Sequence, residues 1–232
     1  MNMKTPHTSD MNYGAFIYKK ELFNKFEMEE IEAFALGSKE YRKPLHASGN
    51  YAGLEWHKFT LNKDLPYIKK ILEAIGTDSA ELIDFYYLDP GASLHPHKDL
   101  TGAGLNNRIR FHMPVITNPK ALFVINGEKD IFMKPGDLWC LDTSYTHAVH
   151  NGGDETRIHI VIECDITGEI RKNIPNDLKS RIHSVGYLFF LVWSLAKALL
   201  VNSVKDPKYL LIQLGMVVNF IKWRVLKIKK PK

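Results

Sequence analysis

Between residues 80 and 165 this chain breaks into strand-length apolar runs separated by turn signals, and no other feature limits its fold so tightly. The runs cover 82–88, 108–116, 121–125, 130–133, 137–141 and 156–164. Between them stand Asp89-Pro90-Gly91, Asn126-Gly127, Lys134-Pro135-Gly136-Asp137 and Asn151-Gly152-Gly153. Proline removes a ladder donor and fixes φ, and glycine accepts the left-handed backbone that tight turns need, so each cluster ends one strand and starts the next. Short strands at this spacing predict an antiparallel sandwich or barrel. The expected class is mainly β with a helical cover: a double-stranded β-helix, the cupin-like jelly roll, over about 80 to 165.

The first eighty residues are expected to form that cover. One helix is predicted over 26–36, ending at Gly37, a residue common just past a helix end. A second is predicted over 64–75, with Asp64 as cap, an early Pro66, apolar Ile68, Ile71, Leu72 and Ile75, and Gly76 as stop.

Two-residue alternation sorts the strand side chains into faces. In 108–115, Ile109, Phe111, Met113 and Val115 share one side, and Arg108, Arg110, His112 and Pro114 the other. In 156–164, Ile158, Ile160 and Ile162 oppose Arg157, His159 and Val161. The apolar faces suit packing against helices. The opposite faces would gather Arg110, His112, Arg157 and His159 in the barrel mouth, where unpaired cations are costly. That face asks for a carboxylate ligand.

Six of the ten histidines lie between residues 95 and 159. A His-x-Asp pair followed a few dozen residues later by a lone His can supply one face of an octahedron and leave the opposite positions open, the pattern of a non-haem iron site. His95 reads as an exposed histidine beside the mouth, His150 and His159 as supporting or structural residues, and Arg108 as a solvated or substrate-facing strand end.

Taken together, His97-Lys98-Asp99, Arg110-Phe111-His112, Pro135-Gly136-Asp137 leading to His147, and Arg157 ten residues later resemble the aspartyl/asparaginyl β-hydroxylase family of Fe(II)/2-oxoglutarate oxygenases. The resemblance spans roughly residues 53 to 181, from Gly53-Leu54-Glu55-Trp56 through Asp165–Ile170. It implies that His97 and His147 bind iron with Asp99 as the carboxylate ligand. It implies further that Arg157 pairs with the distal carboxylate of 2-oxoglutarate and that His112 contacts the carboxylate beside the keto group. Arg110 would face cosubstrate or an acidic substrate. Two departures stand out. The founding animal enzymes carry Gly where this chain has Asp99, and the family carries a small hydroxyl residue where this chain has Tyr86, whose phenol can still donate to the distal carboxylate.

The implied reaction consumes 2-oxoglutarate and O2, hydroxylates an unactivated carbon, and yields succinate and CO2. An amino acid, a peptide side chain or a lipid-linked acyl chain all fit as substrate. Two other classes compete: a cupin-type metal isomerase or lyase that does not use 2-oxoglutarate, and a non-catalytic cupin-like binding module. Arg157 favours the oxygenase.

Charge separates the chain in two. Residues 1–181 carry 22 Lys/Arg against 25 Asp/Glu, a balance of −3, whereas 182–232 carry 9 against 1, or +8. The first part is the expected oxygenase domain and the second an apolar, basic helical hairpin, with arms at 184–201 and 209–226 around a loop at 202–208. Each arm is marginal for a bilayer span and interrupted by Lys, Gln or Asn. Trp193, Trp223, Tyr187, Tyr209 and the basic end suit a membrane surface, and the competing expectation is packing on the barrel or in a homodimer. The long apolar runs argue against nucleic acid as partner. Met1–Thr5 has no apolar signal core, and Cys140 and Cys164 fall in strands as small buried thiols. The expected location is the cytoplasm, at most peripheral at the inner face of a membrane.

Overall fold

The computed structural model describes residues 14–44, 56–99, 108–126, 130–175, 178–205, 215 and 218. In chain order the elements are β1 (Ala15–Lys19), α1 (Lys25–Gly37), β2 (Lys43–Pro44), β3 (Trp56–Thr60), α2 (Pro66–Ile75), β4 (Leu82–Leu88) and β5 (Ser93–His97). They continue with β6 (Arg108–Ile116), β7 (Ala121–Ile125), β8 (Leu138–Leu141), β9 (His147–Asn151), β10 (Arg157–Asp165), α3 (Gly168–Asn173) and α4 (Leu178–Lys205). Seven strands form one antiparallel sheet in the order β1-β8-β6-β10-β4-β3-β2, and three form a second in the order β5-β9-β7.

Two cores hold these layers together, and strand alternation assigns residues to each. Outward from the large sheet, Phe85, Tyr87, Ile109, Phe111, Met113, Ile158, Ile160 and Ile162 pack with Ile31 and Ala35 of α1 and with Ile68, Ile71, Leu72 and Ile75 of α2. Full burial of each such aliphatic side chain contributes roughly 1.5–3 kcal/mol before chain entropy is counted. Facing inward between the sheets, Tyr86, Leu88, Trp139, Leu141 and Val161 meet Phe123, Ile125 and Val149. The result is the expected double-stranded β-helix under a helical cover, with the polar faces of β6 and β10 turned between the sheets.

Local chemistry explains the helix ends. Asn24 caps α1 reciprocally: its side chain accepts from the Glu27 N–H at 3.0 Å, and its own N–H donates to Glu27 Oε2 at 2.8 Å. Helix α2 stops at Gly76, which takes φ 82° and donates back to Leu72 and Glu73.

The sequence expectations need four corrections. The first eighty residues are not helical cover alone; they contribute β1, β2 and β3 to the large sheet. The Asp64 cap is absent, because α2 begins at Pro66 with Leu65 at its cap position and no side-chain cap bond. The run at 130–133 forms only an isolated bridge, Ile131 to Phe123. Strands β5 and β9 carried no prediction. Pro96 argues against a strand, yet β5 tolerates it at a sheet edge, where its pairing with β9 is irregular between Leu94 and His97. Both cysteines are free and buried, as expected.

The chain divides into two compact units, the second made of residues 104–106 and 177–232. Helix α4 covers the whole first predicted arm of the C-terminal hairpin and continues to Lys205, into the stretch expected to be a loop. The second arm, at 209–226, lies outside the described residues apart from 215 and 218, which are helical. Among the described residues no helix is long and apolar enough to cross a membrane.

Candidate metal centre

The small sheet builds the centre of the site. His97 and Asp99 are two residues apart on extended chain, so their side chains share a side. Pairing of β5 with β9 sets His97 opposite His147, and the Asp99 N–H continues that edge by donating to the Thr143 carbonyl at 2.9 Å. The imidazole centroids of His97 and His147 lie 4.2 Å apart. One ligand atom from each of His97, Asp99 and His147 lies within 4.8 Å of the others, which makes this a set that could hold a metal ion.

Backbone carbonyls orient both imidazoles in the same way. His97 Nδ1 donates to the His95 carbonyl at 2.8 Å, and His147 Nδ1 donates to the Tyr145 carbonyl at 3.0 Å. Each bond fixes the proton on Nδ1 and leaves the Nε2 lone pair for a metal. Phe123 stacks on the His147 ring at 5.9 Å. Burial is the largest influence on His147 and pushes it down to about 4 despite the neighbouring Asp99, so it is neutral at pH 7. Asp99 shows the opposite balance. Burial would raise its carboxyl, but the adjoining His97 ring, with Nε2 3.3 Å from Oδ1, and the Arg110 cation hold it well below the usual carboxylate range. Two imidazole nitrogens and one carboxylate match the donor set of a facial triad.

Behind Asp99 stands an ion-pair chain that sequence reasoning missed. Arg110 Nη1 reaches Asp99 Oδ2 at 2.6 Å, and Arg110 Nη2 reaches Glu163 Oε2 at 2.9 Å. Arg110 was expected to face cosubstrate or an acidic substrate; in the structure two of the chain's own carboxylates, Asp99 and Glu163, pair with it. Arg108 was expected as a solvated or substrate-facing strand end, yet it pairs with Glu81, with Glu163 at 3.4 Å and with Asp165 at 3.6 Å. Glu163 sits on the inward face of β10 two residues beyond Val161. Alternation could have flagged it, but a lone glutamate near a strand end carries no signal of its own.

The other end of β10 has a different character. Arg157 is 2% exposed, and its one hydrogen bond among the described residues donates from Nη2 to His159 Nδ1 at 3.1 Å. No carboxylate pairs with it among the described residues. Burial alone pushes its guanidinium down to about 9, still cationic at pH 7. Because His159 Nδ1 accepts that bond, its Nε2 carries the proton, and Nε2 is buried without a partner among the described residues. His112 Nδ1 and Trp139 Nε1 are likewise buried without hydrogen-bond partners among the described residues. His112 pairs across strands with Trp139 on one side and Val161 on the other, and its ring meets that of His159 at 5.7 Å. Burial first, then the Arg157 cation, keeps His112 and His159 neutral. Tyr86 lies directly across from His159. Burial pushes its phenol up to about 12, so it stays a donor. His95 is exposed and serves through its carbonyl, while His150 bonds Ser93 at 2.6 Å.

Fold and site thus define a double-stranded β-helix protein with a two-histidine, one-carboxylate cluster and a buried arginine, Arg157, on the inward face of the same barrel. Many solved structures share the fold, three of them as follows. A prolyl hydroxylase from Trichoplax adhaerens, in complex with a hypoxia inducible factor peptide fragment, matches at TM-score 0.52 and 11% identity, covering 70% of this chain and 88% of its own. A prolyl-4-hydroxylase from Pseudomonas putida matches at 0.50 and 12%, covering 66% and 93%. The epimerase SnoN, in complex with Fe3+, alpha ketoglutarate and nogalamycin RO, matches at 0.52 and 12%, covering 66% and 80%. No curated protein matches in sequence. The aspartyl/asparaginyl beta-hydroxylase family model matches residues 27–166. The chain belongs to that family, and is a hydroxylase of the Fe(II)/2-oxoglutarate oxygenase class.

Proposed function

We propose that His97, Asp99 and His147 hold Fe(II), and that Arg157, His112 and Tyr86 hold 2-oxoglutarate. The chain then hydroxylates an unactivated carbon of an amino-acid, peptidyl or lipid-linked substrate, with succinate and CO2 as coproducts. The observation that carries this reading is Arg157: a guanidinium 2% exposed, with no carboxylate on it among the described residues. Burial of such a cation is costly unless an anion meets it, and a planar guanidinium suits the bidentate grip of a carboxylate.

Bound Fe(II), 2-oxoglutarate and O2 supply the oxidative decarboxylation and the C–H hydroxylation. The protein's contribution is geometry and electrostatics. Carbonyls of His95 and Tyr145 aim two Nε2 atoms at the metal, and Arg110 keeps Asp99 ionised toward it. His159 accepts from Arg157 and fixes the guanidinium plane. The Tyr86 phenol, protonated at pH 7, is placed by register beside that pair to donate to the same carboxylate. His112, neutral, offers Nδ1 to the carboxylate beside the keto group.

The test is succinate formation from 2-oxoglutarate, followed by NMR, with added Fe(II). Turnover that requires Fe(II) and disappears in His97→Ala supports the reading. Failure of Arg157→Ala to weaken 2-oxoglutarate binding under anaerobic conditions would overturn the cosubstrate assignment.

A further inference from the structure

Helix α4 has an apolar face turned to solvent. At 100° per residue, Ile182, Val185, Phe189, Val192 and Trp193 fall within an arc of about 100°. They are 64%, 55%, 70%, 58% and 71% exposed, so each leaves more than half of its surface to water. Tyr187, on the opposite side, is buried. Single exposed apolar residues need no explanation, but a contiguous stripe marks an interaction surface.

The charges of α4 say what covers the stripe. The helix contains Lys179, Arg181, Lys197 and Lys205 and no Asp or Glu. Arg181 and Lys197 are exposed and flank the two borders of the apolar arc. Residues 182–232 as a whole carry nine Lys/Arg against one acidic residue. A second copy of the chain would bring like charges together along both borders of the stripe. Anionic headgroups answer both features at once: acyl chains take the apolar face, and phosphates take the cations that snorkel from its edges. Trp193, inside the arc, is a residue type that favours the headgroup level.

We infer that α4 lies in the surface plane of an anionic phospholipid bilayer, with Ile182, Val185, Phe189, Val192 and Trp193 facing the acyl chains and Arg181 and Lys197 at the phosphates. The inference is independent of the chemistry at the metal centre. It makes the helix a peripheral anchor rather than a span.

Co-sedimentation of the full-length protein with vesicles tests it. Binding to phosphatidylcholine vesicles containing phosphatidylglycerol, weakened by salt and much weaker with phosphatidylcholine alone, is the expected result. Val185→Glu/Phe189→Glu should lower that binding by roughly tenfold or more. Arg181→Glu/Lys197→Glu, which leaves the stripe intact, should lower it too. A circular dichroism spectrum and a thermal unfolding midpoint like the parent's report that each variant is folded. Absence of binding to anionic vesicles, or variants that bind as well as the parent, overturns the inference. So does sedimentation velocity showing a parent dimer that Val185→Glu/Phe189→Glu converts to monomer, which would assign the face to a second copy.

Discussion

Arg157 and Arg110 are both inward-facing arginines near opposite ends of the ladder between β10 and β6, the first buried and the second half-buried. Arg110 bridges Asp99 and Glu163, whereas Arg157 has His159 alone among the described residues. The same side chain in the same interior therefore has two uses. One cation is neutralised within the fold and tensions a candidate metal ligand; the other keeps its charge available for an anion from outside. The difference follows from β10 itself, which offers Glu163 at one end and only a neutral imidazole at the other.

Removal of a metal ligand should cost most. His97→Ala should lower Fe(II) affinity beyond the roughly 10–100-fold typical of losing a supporting group. Isothermal titration with Fe(II) or a Co(II) surrogate reads it, and parent-like affinity would remove His97 from the centre. Arg157→Ala should come next, weakening 2-oxoglutarate by roughly 100-fold while leaving metal affinity unchanged. If both arginines serve the metal, the two affinities will fall together and the contrast breaks.

Glu163→Gln sharpens the contrast from the other side. With Arg110 less firmly held, metal affinity should fall by roughly 10-fold and the KM for 2-oxoglutarate should not move. An unchanged Co(II) absorption spectrum and affinity would reduce Glu163 to a purely structural ion pair.

The smallest effect concerns pH. Burial, aided by the Arg157 cation, holds His112 and His159 below their unfolded value of about 6.5. The unfolded chain then binds more protons, so stability rises with pH and falls as pH drops through 6.5 toward the lower folded values. These two groups contribute a loss of about 1 kcal/mol between pH 7 and pH 6 for the metal-free protein, and His147, held down to about 4, adds to it in the same sense. Urea unfolding at the two pH values measures it; a flat response would mean an anion or water already compensates the pocket.

How much of this was legible in the sequence varied by element. Strands β4, β6 and β7 were readable to the residue, because long β-branched and aromatic runs bounded by Pro and Gly allow few other structures. The strands β1 and β3 were not, since five residues such as Ala-Phe-Ile-Tyr-Lys carry no decisive period, and only pairing with β8 and β4 makes them strands. The inward face of Arg110, His112, Arg157 and His159 followed from alternation. What Arg110 touches did not, because its partners come from a loop eleven residues back and a strand more than fifty residues on.

The sequence by itself determined which side chains share a strand face, that a His-x-Asp pair would point one way, and that a cation would be buried at Arg157. These depend on a two-residue repeat, which is local. Tertiary structure alone decided that His147 stands across from His97, that Glu163 holds Arg110 onto Asp99, and that Arg157 has no carboxylate of its own among the described residues. Cross-strand register joins residues far apart in the chain, and a shift of one residue would send each of these side chains to the opposite face.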